Sequence, residues 1–250
     1  MRAILTYHSI DESGSPISIS ERVFRAQMAW LARSPVRVVP LDALMHMAPD
    51  EDAVALTFDD AFISFGDIAA PLLAEHELPA TLFVVTDAAG GTNRWSGRVD
   101  RGIPELPLLT WQSLGRLADQ GVQLGAHTRT HADLARVDGS QLRDEIVGSA
   151  ERIERETGRA PTAFAYPYGS VSDAAVGVVA TRFAWGCTTE MRSVAANEAR
   201  ALLPRLDMYY LRSAGQLERW GTIRFRCHLT LRAGARLMRH QFRTLTGHER

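Results

Sequence analysis

Two adjacent carboxylates, Asp59-Asp60, follow the apolar run that ends at Thr57-Phe58. Neighbouring side chains on an extended chain point in opposite directions, so at a strand end one aspartate can ligate a cation while the other faces a substrate. Taken alone, the pair is equally a helix cap with a solvated acid beside it. The run His127-Thr128-Arg129-Thr130-His131 follows a second apolar stretch. Its two imidazoles can meet one cation if the segment coils into a turn. The spacing is that of zincins, but Thr128 stands where that motif has glutamate. Taken alone, two surface histidines on a loop give the same pattern. Together the two segments say more. One aspartate and two histidines make three protein ligands, the number a catalytic zinc-like centre uses when it keeps a position for water. The second aspartate is then left to act as general base on that water. A third segment, Phe164-Ala165-Tyr166-Pro167-Tyr168-Gly169, sets two aromatic rings around a proline and then a glycine. It can wall a groove and present a backbone N–H, or it is a plain Pro-Gly turn.

The elements that must position these groups alternate along the chain. Strands are expected at 3–8, 36–39, 53–58, 80–86, 122–126, 162–166, 183–188 and 202–208. A helix starts at the N-cap Ser20, carries Phe24, Met28 and Leu31 on one face and stops at Pro35. Further helices are expected at 68–77, with Pro71 in the first turn, and at 112–120, 141–157 and 173–182. Residues 87–107, rich in Gly, Asp, Arg and Pro, read as a long loop. Strands separated repeatedly by helices imply parallel pairing and an α/β fold. His8, Asp59-Asp60, His127 and Tyr168 each sit at or just after a strand end, and in a βα barrel such positions converge on one rim.

Composition bounds the rest. The chain has 250 residues, 46% of them hydrophobic and 23% charged, which is ordinary for a globular protein. No apolar run approaches the roughly 18 residues of a membrane span. The apolar stretch after Met1-Arg2 is too short for a signal-peptide core, so a cytoplasmic protein is expected. Cys187 and Cys227 cannot build a cysteine-rich zinc site. All 28 basic residues are arginine, which removes Schiff-base chemistry and a Walker phosphate loop. Net charge is −1, yet between Glu218 and Glu249 there are seven arginines and no acid, which leaves 1–218 at about −8. So acidic a body does not favour nucleic acid. No linker splits 1–218, so one domain is expected there, with 219–250 a basic and helical tail.

Taken together, the three segments resemble the polysaccharide deacetylase family, the NodB-homology domain of carbohydrate esterase family 4. Thr57-Phe58-Asp59-Asp60 resembles its T-F-D-D motif, His127–His131 its H-[ST]-x-x-H motif, and 164–169 its R-x-P-Y-G region. Leu5-Thr6-Tyr7-His8 is similar to the opening strand of the poly-N-acetylglucosamine deacetylase branch, and 78–84 to the family's pAT-F-V strand. The resemblance spans roughly 3–210. It implies a distorted (β/α) barrel, seven-stranded, and a metal-dependent hydrolase that removes N-acetyl groups from an amino-sugar glycan. Asp60, His127 and His131 would hold one divalent ion, zinc first, with cobalt, nickel or iron also accepted. Asp59 would be the base and Tyr168 N–H an oxyanion donor, with Trp185 and Tyr166 touching substrate. The chain departs from the pattern in three places. Ala61 replaces the usual glycine, Ala165 replaces the arginine that orients the base, and Leu203-Pro204-Arg205-Leu206-Asp207 stands where Leu-x-His carries the acid. Arg205 cannot donate a proton at neutral pH. His8 is the best substitute acid, or else a structural or substrate-binding residue. These departures leave an alternative: a catalytically weakened glycan-binding barrel that keeps the metal site.

In the tail, Leu231, Ala235, Met238, Phe242 and Leu245 recur at helical spacing, and Arg232, Arg236, Arg239 and Arg243 follow one residue later. Such a helix through 231–245 suits peripheral contact with an anionic membrane, at the inner face for a cytoplasmic protein, or packing on the acidic body.

Overall fold

The computed structural model describes residues 1–213 and 215–246. In chain order the strands are β1 (Arg2–Tyr7), β2 (Ser9–Ile10), β3 (Ser18–Ile19), β4 (Arg37–Val38), β5 (Ala53–Phe58), β6 (Ala80–Val84), β7 (Gln123–Ala126), β8 (Ala163–Ala165), β9 (Trp185–Cys187) and β10 (Leu206–Asp207). The helices are α1 (Glu21–Arg33), α2 (Leu41–His46), α3 (Ala70–Glu75), α4 (Trp111–Asp119), α5 (Gly139–Arg143), α6 (Ser149–Thr157), α7 (Asp173–Arg182) and α8 (Ile223–Thr246).

Seven strands lie in the order β10-β1-β5-β6-β7-β8-β9, all parallel, with β4 also paired to β5. The segment leading into β10 bridges the two ends. Leu203 N donates to Gly186 O (2.7 Å) and Thr188 N to Leu203 O (2.8 Å), while Leu5 and Thr6 pair with Leu206 and Asp207. The sheet thus curls into the expected distorted (β/α) barrel.

Alternation along the strands builds two apolar layers. Leu5, Tyr7, Val54, Leu56, Phe58, Leu82, Val84, Phe164 and Tyr166 point outward and pack with helix residues such as Phe24, Met28 and Ile153. Ile4, Ala53, Ala55, Phe83, Ala163, Ala165, Cys187 and Leu203 fill the interior. The interior is narrow, and its alanines leave room for the Phe83 ring. A Cβ on Gly125 would run into that ring.

Helix boundaries follow local chemistry. Ser20 caps α1 by accepting from Val23 N (3.4 Å), and α1 ends at Arg33, before Pro35. Two expected helices are interrupted by wider π turns. The one expected at 68–77 begins as a π turn, Phe65–Ala69, that runs into α3. The one expected at 141–157 is α5, a π turn at Asp144–Gly148, and then α6. Residues 87–107 remain largely loop, tied at Thr92–Pro107 by a bridge and held by Asn93, which accepts from Leu106 N (2.7 Å) and donates to Pro104 O (3.0 Å).

Helix α8 packs on the barrel through Phe225 and Leu229, both buried. Ile223 and Leu231 point outward, 81% and 74% exposed. Ala235, Met238, Phe242 and Leu245, with Arg236, Arg239 and Arg243, lie outside the residues whose side chains are described. Among the described residues no helix is long and apolar enough to cross a membrane.

Candidate active site

The parity that sends Ala53, Ala55 and Thr57 into the barrel sends Asp59 there too. Its backbone N–H donates to Tyr7 O (2.9 Å), extending the β1–β5 pairing by one step. Asp59 is buried, and Arg205 grips both its oxygens: Nη1 lies 2.6 Å from Oδ1 and Nη2 2.7 Å from Oδ2. The guanidinium is itself fully buried. Nε donates to Thr188 O (2.9 Å) and Nη1 to Thr6 Oγ1 (3.0 Å), and the plane lies over Phe83. Burial pushes the Asp59 carboxyl up, but the charge and hydrogen bonds of Arg205 outweigh it and hold the group well below the usual carboxylate range. His8 follows β1, and its Nε2 lies 3.6 Å from Asp59 Oδ2.

Asp60 turns the other way. With φ at +70° it leaves strand geometry, and Ala61 follows at +60°. This explains why glycine suits position 61 in the motif the sequence resembles: a left-handed backbone strains any residue with a Cβ. Asp60 Oδ1 lies 3.5 Å from His127 Nε2 and 3.4 Å from His131 Nε2, buried and without a hydrogen bond among the described residues. His127 Nδ1 donates to Ala165 O (2.7 Å), which leaves its Nε2 lone pair facing Asp60. Burial pushes the His127 imidazole down to about 4, so it is neutral at physiological pH, as a ligand must be. Burial and neighbouring Asp59 push Asp60 well up.

This arrangement fits a cation. Bonds of ~2.0–2.1 Å at tetrahedral angles set donor atoms ~3.4 Å apart, and the aspartate oxygen sits 3.4–3.5 Å from both imidazole nitrogens. A buried carboxylate oxygen without a hydrogen bond, facing two imidazole nitrogens, is stable once a positive charge stands between them.

His131 is held on several sides. The Trp95 indole stacks on its ring (centroids 4.5 Å, 23° between planes), and Tyr168 meets it edge-on at 4.6 Å. Trp95 comes from the 87–107 loop. Tyr168 comes from the three-residue turn Pro167–Gly169 and has φ at +61°. His8, Asp59, Asp60, His127, His131 and Tyr168 are therefore brought to one rim.

Two expected site residues lie elsewhere. Tyr166 has outward parity. It is fully buried against Phe164, in the layer beneath the helices and away from the rim. Trp185 is the first residue of β9, and so sits at the far end of the barrel. There its Nε1 donates to Asp42 Oδ1 (3.0 Å) and its ring meets His46. The orienting arginine, missing at Ala165, is supplied by Arg205 from the segment that closes the barrel. The signal available in the sequence was a lone arginine inside the apolar run Leu202-Leu203-Pro204-Arg205-Leu206.

A family model described as polysaccharide deacetylase matches residues 46–182, more than half of the chain. The chain is similar to a poly-beta-1,6-N-acetyl-D-glucosamine N-deacetylase of Staphylococcus epidermidis, 23% identical over 203 residues, covering 76% of this chain and 67% of that protein. Its fold is similar to that of the Streptococcus pyogenes deacetylase PplD in complex with acetate (TM-score 0.70, 22% identity, 82% of this chain and 91% of that one). It is also similar to that of IcaB from Ammonifex degensii (TM-score 0.68, 22% identity, 82% and 90%).

Proposed function

The chain belongs to the polysaccharide deacetylase family, hydrolases of N-acetyl amide bonds, and from that premise we propose that it removes the N-acetyl group from an amino sugar within a glycan in a metal-dependent reaction. One observation carries this reading: three convergent cation donors stand beside a carboxylate that an arginine keeps ionised. Asp60, His127 and His131 would hold one divalent ion, zinc first, with cobalt, nickel or iron also accepted by this donor set. When bound, such an ion lowers the pKa of its water towards ~7 and polarises the acetyl carbonyl.

The chain's own residues do the rest. Asp59 orients the attacking water and takes its proton. Arg205 fixes the plane of that carboxylate, and it disfavours the protonated form, so the proton rests there briefly. His8, whose Nε2 lies 3.6 Å from Asp59 Oδ2, would protonate the departing amine nitrogen, which leaves acetate and a free amine. The Tyr168 backbone N–H is the proposed donor to the acetyl oxygen, because its left-handed turn sets the residue against His131. Trp95 and Tyr168 form the wall a sugar ring would meet. A barrel that only binds glycan would follow from the absent arginine at 165 and the absent histidine of the Leu-x-His acid. Arg205 removes the first ground, and His8 is the proposed answer to the second, so hydrolysis is the reading favoured.

For the tail, packing on the barrel is the first reading, supported by the buried Phe225 and Leu229, and the second is peripheral contact of its outward face with an anionic membrane. The second is supported by Ile223 and Leu231 facing away from the barrel on a helix whose sequence has arginines and no acid.

Acetate release from a panel of N-acetylated oligosaccharides, with zinc, cobalt, nickel or iron supplied in turn, tests the reading. Release by the metal-loaded protein and none by the chelated protein is expected. No release from any sugar with any metal would sink it.

A further inference from the structure

The two histidines are joined by a turn that is unfavourable by itself. Thr128 and His131 both have left-handed backbones, at φ +64° and +63°, a conformation residues with a Cβ avoid. Something must hold it. On one side the 86–87 backbone does so: Thr86 N donates to Thr128 O (3.2 Å) and Asp87 N to Arg129 O (2.9 Å). On the other side stands one side chain, Glu145. Its Oε2 accepts from Arg129 N (2.9 Å) and Thr130 N (3.0 Å), and its Oε1 from Thr130 Oγ1 (2.7 Å).

Glu145 is buried, and it sits in the π turn Asp144–Gly148 between α5 and α6. That turn carries one residue more per loop of helix than an α-helix does, which re-aims side chains locally. Here it brings two consecutive acids onto the histidine turn. Glu145 reaches the backbone, and Asp144 pairs with the Arg129 guanidinium, which also donates from Nε to Asp87 Oδ2 (3.0 Å). Burying a carboxyl group is unfavourable unless its hydrogen bonds are made. All three made by Glu145 end on the two residues just before His131. None of the sequence motifs includes it.

We propose that Glu145 is a positioning residue for the metal centre. By gripping the 129–130 backbone it holds the left-handed turn that aims His131 Nε2 at the point faced by Asp60 and His127. The proposal rests on the metal reading above. Groups that orient metal ligands in this way typically change metal affinity ~10–100-fold when removed.

The test is Zn²⁺ and Co²⁺ affinity by chelator competition, with the visible absorption of the Co²⁺ form recorded on full-length wild type, Glu145→Ala and Glu145→Gln. The Gln side chain keeps a carbonyl oxygen for the two N–H donors and an amide for the Thr130 hydroxyl. Glu145→Ala is expected to bind both metals ~10–100-fold more weakly and to change the Co²⁺ spectrum. Glu145→Gln is expected to stay within a few-fold of wild type and keep the spectrum. If Glu145→Ala gives no folded protein, Glu145→Asp carries the test, since its shorter arm cannot bring the carboxylate to the 129–130 N–H groups; the same loss is expected. Wild-type affinity and spectrum in a folded Glu145→Ala or Glu145→Asp would overturn the proposal, whatever their melting temperature. Equal loss in Glu145→Gln would also overturn it. If wild type itself binds neither metal, the metal centre is wrong, and not only the grip on it.

Discussion

At the scale of single residues, the Asp59–Arg205 pair decides whether the site works. Both partners are buried and joined by two charge-assisted bonds. Removing one partner of such a pair strands the other charge and typically costs about 3–5 kcal/mol. Arg205→Ala is therefore expected to lower stability by that order in urea unfolding, and Arg205→Lys by less, since it keeps the charge but loses the fork. His127 gives a pH signature. Its folded-state value of about 4 lies below the ordinary 6.5, so the unfolded chain binds the extra proton first. Its contribution to stability is full above about 6.5 and drains as pH falls towards 4, by about 3 kcal/mol in all. Asp60, shifted upward, works in the opposite sense, so the metal-free protein should be compared with metal-free His127→Gln. Wild type is expected to lose more stability than the variant between pH 6.5 and 4. The paired aspartates and spaced histidines were legible because the chemistry lies within a few consecutive residues. Arg205 was not, because its partner is 146 positions away and meets it only once the barrel closes.

At the scale of elements, strands buried on both faces read plainly as apolar runs, and their ends located the rim. What misled was parity and direction within them. Along β8, Ala163 and Ala165 point in, so Tyr166 must point out. β9 starts at Trp185, two residues later than expected, so that ring falls at the wrong end of its strand. The π turns left no mark on the hydrophobic pattern, and one of them aims Glu145. The turn Pro167–Gly169 is sensitive to a single methyl group. Gly169 has φ at +69°, and a Cβ there would collide with Thr189. Gly169→Ala is expected to cost about 1–3 kcal/mol and, by shifting Tyr168, to lower kcat for acetate release. Wild-type kcat and melting temperature in that variant would show that the turn does not need its glycine.

At the scale of the molecule, the barrel gathers residues from β1, β5, β7, β8 and the closing segment at one rim, so the site is complete only when the sheet has curled fully round. Outside the barrel, the outward face of α8 is tested by co-sedimentation with anionic vesicles at low salt. Wild type should pellet, and the double variant Ile223→Asp/Leu231→Asp should pellet much less while melting normally, since both side chains are exposed. Equal pelleting would end the membrane role. The central claim is that Asp59 is the base beside a metal held by Asp60, His127 and His131. Its most direct test is acetate release from an N-acetylglucosamine oligomer by wild type and Asp59→Asn, with metal content measured on the same samples. The variant is expected to keep one metal per chain while its rate falls ~10²–10⁴-fold, the usual worth of a general base. A metal-replete Asp59→Asn that releases acetate at the wild-type rate would contradict the account.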